Sequence, residues 1–170
     1  MTEASRVWPR PVGMLKFVLM SLFTMGLYGV YWFYWNWRRQ REMENPAIKA
    51  GWRAFFSPFT AWLLFRDVHA DARAKATWSP RLLAVLYFIM SMAFLIPGPQ
   101  WVLTILSFIT LMPVQHSINQ MHAQDGEAID TRITLANIAA MIGGVLLMLL
   151  LYAAGQMLDE VMRFYFPSQG

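Results

Sequence analysis

Three histidines are the residues of this 170-residue chain best suited to hold a metal ion or to move a proton. His116 and His122 are six residues apart, about 600° of rotation along a helix, so their side chains point in different directions. The zinc-binding pattern H-E-x-x-H is absent, and the chain contains no cysteine thiolate. The sequence therefore predicts neither a metal site nor a cofactor, and the histidines are expected at ordinary interfacial positions.

Catalysis by a nucleophile or by paired carboxylates is also disfavoured. The serines are not part of a strand-turn-helix elbow, and His116 has no carboxylate within reach in the sequence. All ten acidic residues lie outside the apolar segments or at their ends. Ion-coupled transporters usually place such carboxylates at mid-membrane. We therefore predict a protein that is not an enzyme and has no catalytic residue.

The polar residues of most interest near the apolar segments are the amides of Asn119 and Asn137. An amide in a medium of low dielectric constant must find a hydrogen-bonding partner, and it commonly ties one helix to another. We predict this interhelical role for both residues, with contact to a substrate as the alternative.

Basic residues are concentrated in one part of the chain, because nine of the fourteen lie between residues 38 and 81. Aromatic residues interrupt this set, a pattern that can signal nucleic acid. Beside apolar segments the pattern is more typical of a helix that lies on anionic lipid, so we expect no nucleic-acid partner. The predicted surface for lipid or for a partner, the basic-aromatic face, consists of Arg38, Arg39, Arg41, Arg53 and Trp62.

The composition places these residues in a membrane protein. The chain is 57% hydrophobic and only 14% charged, whereas a soluble domain is about 25% charged. Four apolar segments are predicted to cross the bilayer, and they cover residues 17–37, 82–96, 101–115 and 133–158. We expect Asp130 or Thr131 to cap the last of them. The predicted fold class is all-α: a polytopic transmembrane helical bundle in a single domain, residues 1–170, with about four crossings. A cytoplasmic interfacial or re-entrant helix is added at residues 57–76, where Ser57-Pro58 is a helix-start signal. Ser79-Pro80 repeats this signal before the segment 82–96.

Two parts of this topology stay open. The pair of short apolar segments between residues 82 and 115 flanks a turn at 97–100, and it either crosses the bilayer or only dips into it. The positive-inside rule puts residues 38–81 in the cytoplasm, and four crossings then place both termini outside. The basic N-terminal tail fits that arrangement poorly, but a bend at residues 24–29 would allow the tail to stay inside.

The first apolar segment contains a recognisable motif. Thr24-Met-Gly26-Leu-Tyr28-Gly-Val-Tyr-Trp-Phe-Tyr34 resembles the T-x-G-[IL]-Y-G-x-Y-W-[FLY]-Y signature of a family of small bacterial membrane proteins whose function is unknown. The resemblance implies a multi-span protein of the bacterial inner membrane. It implies no activity, substrate or catalytic residue.

The functional prediction follows from the membrane class and the basic-aromatic face. We expect a non-enzymatic scaffold or accessory subunit whose partners are anionic lipid, further copies of the chain or another membrane protein. The alternative is a small transporter or channel that assembles as an oligomer.

Overall fold

The computed structural model describes residues 11–43, 45–96 and 100–165, and their regular structure is helical, which confirms the all-α fold class. Residues 97–99 of the predicted turn and the basic tail before residue 11 lie outside the described residues. The α-helices are α1 (Met14–Phe23), α2 (Leu27–Met43), α3 (Ala50–Phe55), α4 (Ser57–Ala70), α5 (Pro80–Met92), α6 (Trp101–Leu106), α7 (Met112–Gln124) and α8 (Leu135–Tyr165). Short 3-10 turns follow α4 and α5 and join α6 to α7.

The segment 17–37, predicted as one span, forms two helices. The chain reverses between α1 and α2 because Met25 and Gly26 adopt positive φ angles of 54° and 82°, a conformation that ends a helix. The Thr24 hydroxyl donates to the Met20 carbonyl at 2.6 Å and accepts from the Tyr28 N–H at 3.0 Å, so it bridges both helix ends. The ten residues of α1 reach only about 15 Å, half of a hydrocarbon core.

The predicted interfacial helix corresponds to α4, which ends at Ala70 and is followed by a 3-10 turn. Pro58 stands in the first turn of α4 as expected, but the Ser57 hydroxyl does not cap the helix. It lies 3.1 Å from the Tyr87 hydroxyl of α5 instead. At the start of α5, Ser79 does act as the N-cap, because its oxygen accepts the Leu82 N–H at 3.4 Å.

Two helices are long and apolar enough to cross a membrane, and they are Val102–Gln124 and Leu135–Tyr165. The first runs through α6, a 3-10 turn and α7, so the helix extends beyond the predicted span 101–115 and ends at Gln124. Helix α5 is a shorter apolar helix. The structure thus supports two membrane-length helices, while four crossings remain a prediction.

The start of α8 lies after the position expected for it. Asp130 or Thr131 was predicted to cap the helix, but the cap is Thr134 together with Asn137. The Thr134 hydroxyl accepts the Asn137 N–H at 3.3 Å, and the Asn137 carbonyl oxygen accepts the Thr134 N–H at 3.0 Å. This reciprocal pair is a capping box in which asparagine takes the usual glutamate or glutamine position.

The core is aromatic and lies among α1, α2, α4 and α7. Phe17, Phe33, Trp37 and Phe65 are fully buried, and Phe17 meets the Trp32 ring edge to face at 6.2 Å. Helix α8 packs on the outside of this bundle against α1. The two helices lie very close at Gly144, where a Cβ atom would collide with the Phe23 carbonyl and lie 2.7 Å from the Thr24 Cα.

Candidate functional site

A chain of buried amide hydrogen bonds joins α2, α7 and the segment before α1. The Trp32 indole N–H donates to the side-chain oxygen Oε1 of Gln115 at 2.5 Å. The side-chain nitrogen Nε2 of Gln115 donates to the Asn119 Oδ1 at 2.7 Å. Asn119 also accepts the Val12 N–H at 3.1 Å and donates to the Val12 carbonyl at 2.8 Å. Gln115 therefore ties α7 to α2, and Asn119 ties α7 to the segment before α1.

The predicted interhelical role of Asn119 thus changes in one respect, because its tertiary partner is a strand-like backbone segment rather than a helix. The Asn119 side chain bonds both the N–H and the carbonyl of Val12. In a β-sheet, the backbone of a neighbouring strand would form these two bonds. Asn137 has a different role from the one predicted. Its Oδ1 accepts from both the hydroxyl and the N–H of Thr134 at the start of its own helix, because the first N–H groups of a helix have no partner within the helix.

An ion pair holds the loop before α8 against the start of α1. The Lys16 side chain is only 8% exposed, and its ammonium group donates to Asp130 at 2.9 Å and to the Arg132 carbonyl at 2.7 Å. Backbone bonds between Gly13 and Asp130 and between Asp130 and Pro11 continue this contact. A buried ammonium needs such partners, because its desolvation is costly.

Two further polar side chains in this region keep one atom each without a hydrogen-bond partner. Asn36 is 1% exposed, and its amide nitrogen donates to the Trp32 carbonyl at 2.8 Å, while its Oδ1 is unpaired. His122 is 5% exposed, and its Nδ1 lies 2.7 Å from a Glu127 carboxylate oxygen, while its Nε2 is unpaired. Each unpaired buried polar atom costs free energy, on the order of 1–3 kcal/mol.

A cavity of about 680 Å³ lies where these groups meet, among α2, α7 and the loop into α8. Aromatic rings form one wall and charged or amide groups form the others. The lining residues are Val12, Lys16, Tyr28, Tyr31, Trp32, Trp35, Asn36, Arg39, Glu42, Gln115, Ile118, His122, Glu127, Asp130 and Asn137. A space of this volume is typical of small-molecule sites.

The basic-aromatic face is only partly brought together. Arg53 of α3 stacks on the buried Trp37 of α2 at 4.5 Å from the ring centre, so it joins these two helices. Arg38 lies over the Trp35 ring at 4.8 Å and bonds Glu42 at 2.9 Å, which raises the pKa of its guanidinium group. Trp62 pairs with an arginine outside the predicted set, because Arg81 of α5 lies over its ring at 5.8 Å.

An aromatic cluster next to Arg53 is more exposed than expected of a folded core. Trp52, Phe55 and Phe59 are 66%, 71% and 64% exposed, and Phe56 contacts all three rings. Phe59 also meets Phe88 of α5 at 5.3 Å. A contiguous apolar patch of this kind marks an interaction surface.

Lys16 and Asn36 were not recognised as site residues from the sequence. Lys16 directly precedes the first apolar segment, and Asn36 stands between Trp35 and Trp37. The signal that could have found them is a polar side chain beside an apolar segment, since a buried amide or ammonium group must find hydrogen-bonding partners. In the part of the chain that the structure describes, no group of three His, Cys, Asp or Glu residues could hold a metal ion.

Comparison with known proteins adds no family to this picture. No family model matches the chain, and neither a curated protein nor a solved structure matches it. The resemblance of residues 24–34 to a bacterial membrane-protein signature therefore stays a prediction.

Proposed function

We propose that the chain is a multi-pass protein of the bacterial inner membrane that acts as a non-enzymatic scaffold or accessory subunit. In this proposal the basic-aromatic face and the adjacent aromatic cluster lie at the cytoplasmic surface of the bilayer. There they bind anionic lipid and present a docking surface to a further copy or to another membrane protein. The observation that carries the proposal is the exposed aromatic cluster of α3 and α4 beside stacked arginines.

The physical reason is the preference of such groups for the headgroup region. Trp and Phe side chains favour the boundary between acyl chains and headgroups, and arginine pairs with lipid phosphates. Trp52 and Phe55 extend from a helix of six residues, too short to cross a membrane. Arg53 stands between them in the sequence, and its stacking on Trp37 holds α3 against α2.

Helix α8 supports membrane residence independently of that face. Its 31 residues span about 46 Å, and its apolar side chains are largely exposed. Leu146, Leu150 and Leu151 are exposed. Contact with lipid acyl chains makes this exposure favourable, whereas contact with water would be unfavourable.

The test compares two quadruple variants of Arg38, Arg39, Arg41 and Arg53 with the unaltered chain. Alanine at all four positions removes the charge and the stacking, whereas lysine keeps the charge and loses the planar stacking group. The proteins are purified in mild detergent from their native membrane, and co-purifying lipid and protein are identified by mass spectrometry. We expect the alanine variant to lose phosphatidylglycerol and its protein partners, and the lysine variant to keep most of the lipid.

Unchanged lipid and partner retention in the alanine variant would refute the proposal. A loss of protein partners in both variants with lipid kept in the lysine variant would assign partner docking to the stacked guanidinium groups.

A transporter or channel is the second candidate, and the cavity of about 680 Å³ is the observation that favours it. We rank it lower because Asn119, one of the two amides expected beside a substrate path, is fully engaged with Val12 and Gln115. Solute flux into vesicles that contain the protein, lost on Asn36→Leu, would reverse this ranking.

A further inference from the structure

Helices α1 and α2 pair side by side as an antiparallel hairpin. The Phe17 ring of α1 meets the Tyr28 ring of α2 edge to face, with 5.7 Å between the ring centres. Because the chain reverses at residues 24–26, the basic end of α2 returns to the start of α1. Val12 and Arg39, from these two ends, line the same cavity. The hairpin therefore begins and ends at one end of the bundle.

Helix α8 measures how deep this hairpin reaches. The Gly13 N–H donates to the Asp130 carbonyl at 2.9 Å, so the start of α1 lies beside the loop that leads into α8. At the other end of α1, Thr24 lies against Gly144. Gly144 is about 14 Å along α8 from Leu135. A hydrocarbon core is about 30 Å thick, so in a bilayer that α8 crosses the hairpin turn stops near the midplane.

The outer surface of the hairpin changes along its length in the order expected of one leaflet. Phe23 and Leu27 are exposed near the turn. Tyr34 and Trp35 are exposed about 12 Å further along α2, and Arg38 lies over the Trp35 ring. Apolar side chains favour the acyl chains, aromatic rings the boundary and arginines the headgroups. A single leaflet thus matches the whole length of the hairpin.

The pair of helices that follows does not change the side on which the chain lies. The Gln124 side chain at the end of α7 donates to the Arg73 carbonyl at 2.9 Å, and the Trp78 indole donates to the Ser117 hydroxyl at 3.1 Å. The chain therefore enters α5 and leaves α7 at the same end of the bundle, whether this pair crosses the bilayer or only dips into it. Helix α8 then carries the chain away from that end.

This arrangement also gathers the basic residues on one side. With the start of α1, residues 38–81 and Arg132 all on the cytoplasmic side, every Lys and Arg of the chain except Arg163 lies at or beyond that end. Four crossings would leave the three basic residues before Phe17 outside as well. The positive-inside rule favours the first arrangement.

We infer that α1 and α2 form a re-entrant wedge, residues 14–43, whose outer surface binds the acyl chains of the cytoplasmic leaflet alone. The wedge enters and leaves by the cytoplasmic face, so the N-terminal tail is cytoplasmic and the end of α8 lies on the opposite side. The wedge presupposes the membrane residence proposed above, because water would not favour its exposed apolar surface. A second copy of the chain is the competing occupant of that surface.

Single cysteines test the sides of the membrane, because the chain contains none of its own. Ser5→Cys, Arg41→Cys and Ser168→Cys are each treated with a membrane-impermeant maleimide, in intact spheroplasts and in inverted membrane vesicles. We expect the first two to react only in inverted vesicles and Ser168→Cys to react only in spheroplasts. Any other pattern would overturn the wedge, and labelling of Ser5→Cys in spheroplasts is the result that four crossings require.

A matched pair of fluorophores identifies what covers the wedge. Leu15→Cys and Phe23→Cys are both exposed positions on α1, about 12 Å apart along the helix. Each is labelled and reconstituted with lipids that carry a nitroxide quencher either near the headgroup or near the end of the acyl chain. We expect the deep quencher to act more strongly on Phe23→Cys and the shallow one on Leu15→Cys. Absence of quenching at Phe23→Cys, or cross-linking of this residue between two copies, would overturn lipid as the occupant.

Carbonate extraction separates a failure of the wedge from a failure of the proposed function. Release of the unaltered chain from carbonate-washed membranes would refute membrane residence and both proposals with it. A chain that is retained while Ser5→Cys reacts in spheroplasts would refute the wedge and leave the docking surface of α3 and α4 in place.

Discussion

The two long apolar helices of this protein differ both in hydropathy and in their surroundings. The most apolar 18 residues of Val102–Gln124 have a mean hydropathy of 1.3, and half of them are buried in the protein. The most apolar 18 residues of Leu135–Tyr165 have a mean hydropathy of 2.3, and only 6% of them are buried. The first helix is a core element, whereas the second attaches to the bundle along one narrow contact.

The difference shows where each helix can carry polar groups. Gln115, Asn119 and His122 are buried on the inner side of the first helix because other parts of the chain supply their partners. Between Ile138 and Tyr152 the second helix has no charged or amide side chain, a pattern that is typical of lipid-facing surfaces. The first helix thus carries buried polar side chains, whereas the second carries exposed apolar ones.

The largest expected difference between the two helices comes from placing the same charge on each of them. Ile118→Lys puts an ammonium into a site that is 1% exposed, and we expect a loss of about 4 kcal/mol or more in folding stability. Leu150→Lys, at a residue that is 66% exposed, should leave the detergent-solubilised fold intact and oppose insertion by about 3 kcal/mol.

Unfolding in detergent and the fraction retained in carbonate-washed membranes measure the two effects. A Leu150→Lys protein that unfolds in detergent while remaining fully inserted would show that α8 is packed against protein rather than lipid.

The next effect concerns the buried hydrogen bonds of the first helix. Asn119→Leu leaves the Val12 N–H and carbonyl and the Gln115 amide without their partner, and we expect a loss of about 2–4 kcal/mol. Hydrogen exchange at the Val12 amide should speed up in parallel. Gln120→Leu one residue later is the control, and an equal loss there would refute a specific role of the network.

The narrow contact of α8 is tested by two adjacent glycines. Gly144→Val drives a side chain into the Phe23 carbonyl, so we expect a loss of about 1–3 kcal/mol and weaker docking of α8. Gly143→Val meets nothing within 4 Å and should cost far less. Cysteine cross-linking between α1 and α8, introduced into this cysteine-free chain, reports the docking. Similar cross-linking in both variants would show that Gly144 is not the contact.

The smallest effect concerns the start of α8. Thr134→Ala removes the hydroxyl that accepts the Asn137 N–H, and we expect a loss of about 1 kcal/mol with fraying of the first turn. Thr131→Ala, at a position that the sequence alone favoured as a cap, should leave the helix start unchanged. Nuclear magnetic resonance chemical shifts of residues 135–138 distinguish the two outcomes.

The local signals in the sequence predicted the helices better than the site. Ser79-Pro80 starts α5 as expected, because an N-cap and a proline at the first turn need only neighbouring residues. Ser57-Pro58 carries the same signal, yet the Ser57 hydroxyl bonds Tyr87, thirty residues away in the chain. The cavity had no local signal at all, because its walls come from α1, α2, α7 and the loop into α8.

What the sequence by itself determined is the helical class, the membrane-like composition and the apolar character of the last helix, because these depend on residue type and short-range spacing. What only the tertiary structure decided is the fate of the polar groups. Lys16 meets Asp130 across 114 residues of chain, and Asn119 meets Val12 across 107. Such pairings arise because buried polar groups must be satisfied, and where they are satisfied depends on how the helices pack.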